Sequence, residues 1–416
     1  MQYVIIGNSA AGTQAAETIR KYDNAGNIVI ISDEPHAAYS RCLLPDYLAG
    51  ERSEKTILFK SANFYDRNNI DTMFGKKAVD IDSESQKVYL GDGQTVSYDK
   101  LLIGTGSSAF VPPIQGIDEP GIFNLRNLDD AVGIKEAAKK ARRVVVVGGG
   151  FVGLEAAYSL YSLGLEVTVV ERLPQIVPGQ FDAKAAAILR NDMQAEGIRI
   201  ITGDGIKEIA GPSLWNRLFG KTGKGVLLDS GERLKCELVV VATGTRPNVG
   251  LTAKTGIKVN RGIEINEYME TSVPNIYAAG DVAETVDVVS GELGLSPIWP
   301  NAIVQGRMAG LNMVGETRKY SQMIGMQNSV EFRNVPAIAI GLTRTPDDYE
   351  EIVIHRPHLN YYRKLILKDD VLKGMIFVGD IRRAGVYAAL IKKKVPVTKF
   401  KQQLFKESFG YSSIIS

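Results

Sequence analysis

The stretch Arg143-Val-Val-Val-Val-Gly-Gly-Gly-Phe-Val-Gly-Leu-Glu155 predicts how this chain folds. Its run of valines has no polar alternation, which is typical of a parallel strand buried on both faces. Gly148, Gly150 and Gly153 follow with the spacing G-x-G-x-x-G. The first glycine permits a tight turn, the second lets a pyrophosphate approach the backbone, and the third lets the next helix pack closely. The segment therefore predicts a dinucleotide-binding unit; a tight turn without a ligand is the alternative.

A carboxylate follows the next predicted strand. The segment Glu166-Val-Thr-Val-Val ends at Glu171, where an acidic side chain can accept hydrogen bonds from a ribose diol. A carboxylate in this position would repel the 2′-phosphate of NADPH, so Glu171 favours NADH. The neighbouring Arg172 weakens that preference because its charge has the opposite sign.

A second nucleotide-binding pattern opens the chain. The first predicted strand runs into Gly7-Asn8-Ser9-Ala10-Ala11-Gly12, with a serine where the middle glycine is usual. A small side chain there still lets a pyrophosphate come close. After the strand Asn27 to Ser32, either Asp33 or Glu34 supplies the ribose carboxylate, and we favour Asp33. Two such patterns in one chain predict two bound nucleotides.

The composition excludes several classes of protein. The chain has 416 residues, enough for two or three domains, and its 49 Lys and Arg nearly balance 47 Asp and Glu, which disfavours a nucleic-acid partner. No apolar run is long enough to span a membrane, and the chain starts with a strand rather than a signal peptide. We therefore expect a cytoplasmic protein. Cys42 and Cys236 lie too far apart in sequence for a disulfide framework or a metal site.

Three further segments resemble motifs of one known family. They are Tyr98-Asp-Lys-Leu-Leu-Ile-Gly-Thr-Gly-Ser107, Val239-Val-Val-Ala-Thr-Gly-Thr-Arg-Pro247 and Asn275-Ile-Tyr-Ala-Ala-Gly-Asp-Val282. With the two glycine-rich turns, they resemble the FAD- and NAD(P)-dependent pyridine-nucleotide disulfide oxidoreductase superfamily. The resemblance implies FAD and NAD(H) as cofactors, with Asp281 accepting a hydrogen bond from the ribityl chain. It implies further cofactor contacts at Thr105, Gly106, Ser107, Thr243, Gly244, Arg246 and Gly280.

The resemblance also implies the architecture, an α/β fold with two doubly wound, Rossmann-like domains and a carboxy-terminal α+β domain. Residues 1–111 and 246–326 would form a split FAD-binding domain, 112–245 the NAD(P)-binding domain, and 327–416 an interface or partner domain. The alternation of predicted strands and helices independently supports parallel sheets in the first two. A homodimer through the last domain is the family expectation.

Several side chains acquire roles from the resemblance alone. Arg41 would hold the FAD, and Trp299 or Pro300 would contact the isoalloxazine at a helix start whose dipole stabilises a reduced flavin. Phe151 would form an aromatic gate over the flavin, and Glu155 would hold the nicotinamide carboxamide. The alternative for these residues is ordinary packing or solvation.

Cys42 leaves the chemistry open. No Cys-x4-Cys pair is present, which excludes the active-site disulfide of the lipoamide and glutathione reductases. Cys42-Leu-Leu-Pro45 resembles the single-cysteine motif of coenzyme A-disulfide and persulfide reductases, in which the thiol is redox-active. The preceding Tyr39-Ser-Arg41 resembles rubredoxin reductases and the flavin module of nitrite reductase, which need no redox cysteine. A packing role for Cys42 is the third possibility.

Three functions follow from these patterns. The first is an NADH-preferring flavoprotein oxidoreductase that exchanges electrons with an iron–sulfur or rubredoxin-type protein. The second is a coenzyme A-disulfide or persulfide reductase, or an NADH oxidase, that uses Cys42. The third is a flavoprotein subunit of a larger complex, suggested by an apolar insertion at residues 211–225 and by a basic tail that includes Lys392, Lys393 and Lys394.

Overall fold

The structure, a computed structural model, describes residues 1–211, 223–320, 324–325, 327–332, 335–406, 408–410 and 414. Contacts divide the chain into two compact units. The first unit comprises Met1–Leu43, Arg52–Ser108 and Thr245–Gly325, and the second comprises Leu44–Glu51, Ala109–Gly244 and Met326–Ser416. The apolar insertion, with Trp215 and Phe219, falls almost wholly outside the described residues.

The described part of the chain alternates strands and helices. The helices are α1 (Ala10–Tyr22), α2 (Leu44–Ala49), α3 (Phe64–Arg67), α4 (Leu128–Ala138), α5 (Phe151–Ser162), α6 (Ala183–Glu196), α7 (Trp299–Met313) and α8 (Ala384–Lys393). Short 3-10 turns lie at Arg41–Leu43, Gly250–Thr252, Pro357–Leu359 and Lys401–Gln403. The strands are β1 (Gln2–Ile6), β2 (Asn27–Ser32), β3 (Ile70–Phe74), β4 (Ala78–Asp82), β5 (Lys87–Leu90), β6 (Thr95–Ser97), β7 (Lys100–Ile103), β8 (Ser107–Ala109), β9 (Ile122–Asn124), β10 (Arg143–Val147), β11 (Glu166–Glu171), β12 (Arg199–Thr202), β13 (Ile206–Ala210), β14 (Lys224–Leu228), β15 (Arg233–Cys236), β16 (Leu238–Val241), β17 (Thr245–Pro247), β18 (Ile263–Glu264), β19 (Ile276–Ala278), β20 (Ala283–Val286), β21 (Leu293–Leu295), β22 (Gln327–Phe332), β23 (Val335–Gly341), β24 (Glu350–Arg356), β25 (Tyr361–Lys368) and β26 (Val371–Val378).

A parallel sheet with the strand order β19-β7-β1-β2-β3 forms the centre of the first unit. Successive side chains of β1 point to opposite faces, and both faces are covered. Tyr3 and Ile5 belong to a core with α1 and α7, whereas Val4 and Ile6 belong to a second core on the other side. Burial on both faces explains why the strand is apolar throughout.

The second unit contains a parallel sheet of the same kind, with the strand order β12-β11-β10-β16-β9. The valines of β10 lie at its centre and are at most 6% exposed. The carboxy-terminal residues add an antiparallel sheet of order β22-β23-β26-β25-β24, on which α8 packs through an edge-to-face contact of Tyr387 with Phe377. These sheets confirm the expected α/β fold class, with two Rossmann-like sheets and a carboxy-terminal α+β region.

Helix α2 packs within the second unit although it is distant in sequence from its partners. The Ser159 hydroxyl donates to the Pro45 carbonyl at 2.9 Å, and Lys135 Nζ donates to the Tyr47 carbonyl at 2.9 Å. The same ammonium lies 4.4 Å from the centre of the Tyr47 ring, a favourable cation–π distance. These contacts fix α2 against α4 and α5.

Candidate functional site

The two glycine-rich turns have the same geometry. The Gly7 N–H donates to the Ile31 carbonyl at 2.8 Å, and the Gly148 N–H donates to the Val170 carbonyl at 2.8 Å. Both glycines have positive φ, +117° and +107°, in a region that residues with a Cβ rarely adopt. Each unit therefore carries one strand–turn–helix of the predicted kind. In both, the first glycine of the turn is bound to the equivalent residue of the neighbouring strand.

The remaining glycines of these turns are needed for two different reasons. A Cβ on Gly12 would lie 1.9 Å from the Gly7 carbonyl oxygen, and one on Gly153 would lie 2.0 Å from the Gly148 oxygen. Close helix–strand packing therefore requires glycine at both positions. No atom lies within 4 Å of a Cβ placed on Gly150. The protein itself leaves that space open, as the approach of a pyrophosphate requires.

The helix starts at these turns have no side-chain cap. Neither Ser9 at the start of α1 nor Gly150 at the start of α5 accepts a capping hydrogen bond. By contrast, Asn127 and Asp182 cap α4 and α6 by accepting from backbone N–H groups of the first turn. Uncapped N–H groups and the positive end of the helix dipole together form an anion site. Both starts thus fit the phosphates of a dinucleotide.

Glu171 ends β11 beside the second turn and is 8% exposed. One carboxylate oxygen accepts from the Gly149 N–H at 2.6 Å, and the other accepts from the Leu173 N–H at 2.8 Å. These bonds fix the carboxylate at the edge of the turn and leave each oxygen a further lone pair for a ribose hydroxyl. The side chain of Arg172 is exposed.

The first unit has no carboxylate at the position that corresponds to Glu171 of the second unit. Because Ile31 and Val170 accept the equivalent turn hydrogen bonds, Ser32 occupies the position that Glu171 has in the second unit. The Ser32 hydroxyl accepts from the Glu34 N–H at 3.2 Å. The two candidate acids therefore lie one and two residues beyond this position.

Glu34 is bound to neighbouring side chains, whereas Asp33 is exposed. The Tyr39 hydroxyl donates to the Glu34 carboxylate at 2.5 Å, and Arg41 forms an ion pair with it. Burial opposes the charge of Arg41, but attraction to Tyr39, Glu34 and Asp281 outweighs it and raises the Arg41 pKa above its usual value. Arg41 is therefore held in the first unit as a fixed positive charge.

Asp281 and the turn after β7 are connected by hydrogen bonds. The Ser107 hydroxyl donates to the Asp281 carboxylate at 2.8 Å. Asn248 organises the same turn, since its side-chain amide donates to the Thr105 carbonyl at 2.9 Å and its backbone N–H donates to the Gly106 carbonyl at 3.0 Å. Sequence reasoning missed Asn248, although it stands directly after the quoted segment that ends at Pro247.

Helix α7 supports the same region from a distant part of the chain. The Gln305 side-chain oxygen accepts from the Gly280 N–H at 2.7 Å in the buried interior. A Cβ on Gly306 would lie 2.2 Å from the Ala11 carbonyl oxygen, so α7 and α1 pack in backbone contact. Both residues were missed from the sequence. The spacing of Gly306 and Gly310 on one helix face was the available signal.

The start of α7 is another helix start without a side-chain cap. Trp299 is partly buried there and contacts Phe59 edge to face, with ring centroids 4.9 Å apart. Pro300 is exposed in the first turn. Packing explains the position of Trp299, and contact of either residue with an isoalloxazine stays a prediction.

The strand ends at the other predicted motif are also fixed by hydrogen bonds. The Thr243 hydroxyl donates to the Phe110 carbonyl at 2.7 Å, and the Phe110 N–H donates to the Gly244 carbonyl at 2.9 Å. Arg246 follows with an exposed side chain.

In the first unit, Cys42 is exposed, and neither cysteine of the chain is part of a disulfide.

Phe151 and Glu155 lie one turn apart on α5 in the second unit. Phe151 contacts Phe181 edge to face with ring centroids 5.9 Å apart, so packing holds its ring. Burial, with a further contribution from the negative charge of Asp46, raises the pKa of Glu155 to about 7. A carboxyl group with this pKa changes its charge near neutral pH.

Replacing Glu155 with glutamine should stabilise the protein at pH 8 and have little effect at pH 4, below both pKa values of this carboxyl. The native carboxyl keeps its proton up to about pH 7, whereas in the unfolded chain it loses the proton near 4.5. The wild type therefore loses stability as the pH rises through this window, and the amide does not. We expect a gain on the order of 2 kcal/mol at pH 8 from denaturant unfolding. The exposed Glu136→Gln is the matched control, and an equal gain at both pH values would contradict the burial of Glu155.

Comparisons with known proteins agree with this geometry. Residues 1–306 match the family model described as pyridine nucleotide-disulphide oxidoreductase. Residues 328–395 match the rubredoxin NAD+ reductase C-terminal domain. Both matches confirm the resemblance found in the sequence.

Individual relatives cover most of the chain. The NADH oxidase of Methanocaldococcus jannaschii is 37% identical over 329 residues, 77% of this chain and 71% of the relative. The assimilatory nitrate reductase electron transfer subunit of Bacillus subtilis is 32% identical over 409 residues, 98% of this chain and 51% of the relative. This chain thus spans about half of the length of that protein.

Among solved structures, the covalent putidaredoxin reductase–putidaredoxin complex is similar with a TM-score of 0.90 at 25% identity. The similarity covers 100% of this chain and 98% of that chain.

Within the described residues, no helix combines the length and apolar character that crossing a membrane requires.

Proposed function

Because this chain belongs to the pyridine nucleotide-disulphide oxidoreductase family, we propose that it couples NADH to a small iron–sulfur or rubredoxin-type protein. It is an oxidoreductase whose cofactors are FAD and NAD(H). The observation that carries the proposal is the pair of uncapped helix starts, one in each unit, each beside a glycine turn. The match of residues 328–395 to the rubredoxin reductase C-terminal domain supports the kind of protein partner.

The proposed domains follow the sequence prediction. Residues 1–111 and 246–326 would bind FAD, 112–245 would bind NAD(H), and 327–416 would serve the partner or a second copy of the chain. We also propose a cytoplasmic location, which the lack of an apolar spanning segment in the sequence supports. We further propose a homodimer, and light scattering, which measures the mass of the particle in solution, tests it.

Within the first domain, the start of α1 would hold the FAD pyrophosphate. Asp33 is the proposed ribose ligand because Glu34 is engaged with Tyr39 and Arg41. Arg41 would offer its charge to the cofactor, and Asp281, fixed by Ser107, would accept from the ribityl chain. The cofactor supplies hydride and single-electron chemistry, and these residues bind and orient it.

Within the second domain, the start of α5 would hold the NAD pyrophosphate. Glu171 would accept from the ribose and favour NADH, since its buried carboxylate would meet a 2′-phosphate of the same sign. Phe151 and Glu155 are proposed to position the nicotinamide ring, Phe151 through its packed aromatic face and Glu155 through the carboxamide. Each role is a positioning role that excludes water and limits ring motion.

The proposal predicts that the Cys42→Ser variant transfers electrons to rubredoxin or to a plant-type [2Fe–2S] ferredoxin about as fast as the wild type. The reason is that electron exchange between the flavin and the metal centre of the partner forms no bond to the Cys42 sulfur. The measurement is NADH-dependent reduction of each protein under nitrogen, with a neutral quinone as the control acceptor. Complete loss of protein reduction in Cys42→Ser, with quinone reduction intact, would contradict the proposal.

A second candidate function uses the Cys42 thiol, and the exposure of this side chain favours it. The similarity to an NADH oxidase is compatible with such chemistry. Reductive titration separates the candidates. If Cys42 cycles, the oxidised enzyme holds it as a sulfenic acid or a mixed disulfide, whose reduction to the thiol takes two electrons in addition to the two of the flavin, about four per flavin in all. If Cys42 does not cycle, uptake stops at about two electrons per flavin. The role as a subunit of a larger complex is supported by the nitrate reductase relative, of which this chain spans about half.

A further inference from the structure

Positive charge is concentrated at one end of the chain. Residues 327–416 contain 15 Lys and Arg against 9 Asp and Glu, whereas residues 1–326 contain 34 against 38. The nearly balanced total therefore conceals a basic carboxy-terminal region joined to a slightly acidic remainder. A surface charge of one sign attracts partners of the opposite sign, and net charge bears on association rather than on the fold.

Acidic side chains of this region are paired with particular cations. The ion pairs are Asp348 with Lys368 at 2.6 Å, Glu350 with Lys401 at 2.5 Å, Glu351 with Lys364 at 3.0 Å, Asp370 with Lys401 at 2.7 Å, and Asp380 with Arg382 at 2.9 Å. These acids are therefore already matched within the region. The excess of positive charge must reside on other residues.

Four lysines carry much of that excess, and we call Lys392, Lys393, Lys394 and Lys399 the lysine ridge. All four are exposed, and none forms an ion pair with a described residue. They lie in the segment 392–399, which contains no acidic residue. The ridge begins in the last turn of α8 and continues beyond it.

The helix dipole explains only part of the ridge. Lys392 and Lys393 lie in the last turn of α8, where a cation is favourable for any helix. Lys394 follows with φ +52°, a left-handed conformation that favours glycine. Lys399 lies beyond the helix altogether. Helix stability therefore does not account for the last two charges.

We propose that the lysine ridge is the docking surface for the redox partner, and that this partner presents an acidic face. The inference rests on the proposed function and adds the site at which the partner binds. Charge complementarity supports it, because four exposed cations without internal partners attract an acidic protein from solution and raise the rate of encounter. A second copy of this chain would bring a ridge of the same sign and be repelled if it docked ridge to ridge.

The test compares two quadruple variants of equal charge change. The ridge variant replaces Lys392, Lys393, Lys394 and Lys399 with glutamine. The control variant replaces four exposed lysines outside the ridge, Lys140, Lys207, Lys235 and Lys258, with glutamine. Rubredoxin and a plant-type [2Fe–2S] ferredoxin are the protein acceptors, and a neutral quinone reports electron flow that needs no docking. Thermal melting confirms that both variants fold.

At low salt, the ridge variant should lose about tenfold or more in kcat/KM for the protein acceptor, and its rate should depend less on ionic strength. The control variant should change less than twofold, and quinone reduction should be unchanged in both. If kcat/KM for the protein acceptor fell equally in the two variants, or did not fall in the ridge variant, the lysine ridge would not be the docking surface. The proposed function would still stand. If the wild type reduces the quinone but neither protein, the proposed function fails, and the ridge with it. A ridge variant that loses only duplex-DNA binding or self-association would also overturn the proposal.

Discussion

Alanine in place of Gly12 should yield a chain that is purified with little or no bound FAD. The new Cβ would lie 1.9 Å from the Gly7 carbonyl oxygen, well inside contact distance. The obstructing atom belongs to the backbone, so no side-chain rotation can relieve the clash. Helix α1 would have to move away from the turn that forms the proposed phosphate site. Overpacking of this kind costs about 1–3 kcal/mol or more, and the displaced N–H groups no longer converge on the phosphates.

The ratio of flavin to protein absorbance measures this effect directly. Gly250→Ala is the matched control, since no atom lies within 4 Å of a Cβ at that position, which is also in the first unit. We expect a full complement of flavin in the control and a melting temperature close to that of the wild type. A yellow Gly12→Ala protein with the wild-type ratio would show that α1 does not hold the cofactor.

Alanine at Gly150 should weaken the use of NADH without loosening the fold. A Cβ there would have no atom within 4 Å, so the protein can accept the methyl group. The same methyl group would occupy the space through which a pyrophosphate approaches the start of α5. We expect kcat/KM for NADH to fall about 100-fold, which corresponds to nearly 3 kcal/mol. Bound FAD and thermal stability should stay at wild-type values.

Gly153→Ala is the informative comparison, because its Cβ would lie 2.0 Å from the Gly148 carbonyl oxygen. That variant should lose both NADH oxidation and thermal stability. The two glycines lie three residues apart, yet packing requires only Gly153, and we expect the ligand to require Gly150. If Gly150→Ala melted as early as Gly153→Ala, or oxidised NADH at the wild-type rate, the proposed phosphate site at α5 would be wrong.

Local patterns were sufficient to predict both glycine turns. The order strand, turn, helix, strand is written in consecutive residues, and steric demands at Gly7 and Gly148 act over a few atoms. The α/β fold class followed for the same reason, since a strand buried on both faces has no polar alternation. The family motifs then identified Ser107 and Asp281, which the structure joins by a hydrogen bond.

Other features depend on residues that are far apart in sequence. Gln305 reaches Gly280 only because α7 packs in backbone contact with α1. The position of Ser32 opposite the first turn depends on strand register, which a sequence does not state. Likewise, the unequal settings of Asp33 and Glu34 arise from Tyr39 and Arg41 folding back onto Glu34.

The sequence by itself determined the two glycine turns, the fold class and the excess of positive charge after residue 326, because each depends on neighbouring residues or on composition. Only the tertiary structure decided which glycines are fixed by packing and which face open space, and that burial beside Asp46 raises the pKa of Glu155. It alone separated lysines matched by carboxylates from the lysine ridge. The physical reason is that clash, desolvation and charge pairing act over a few ångströms between residues that the chain order separates widely.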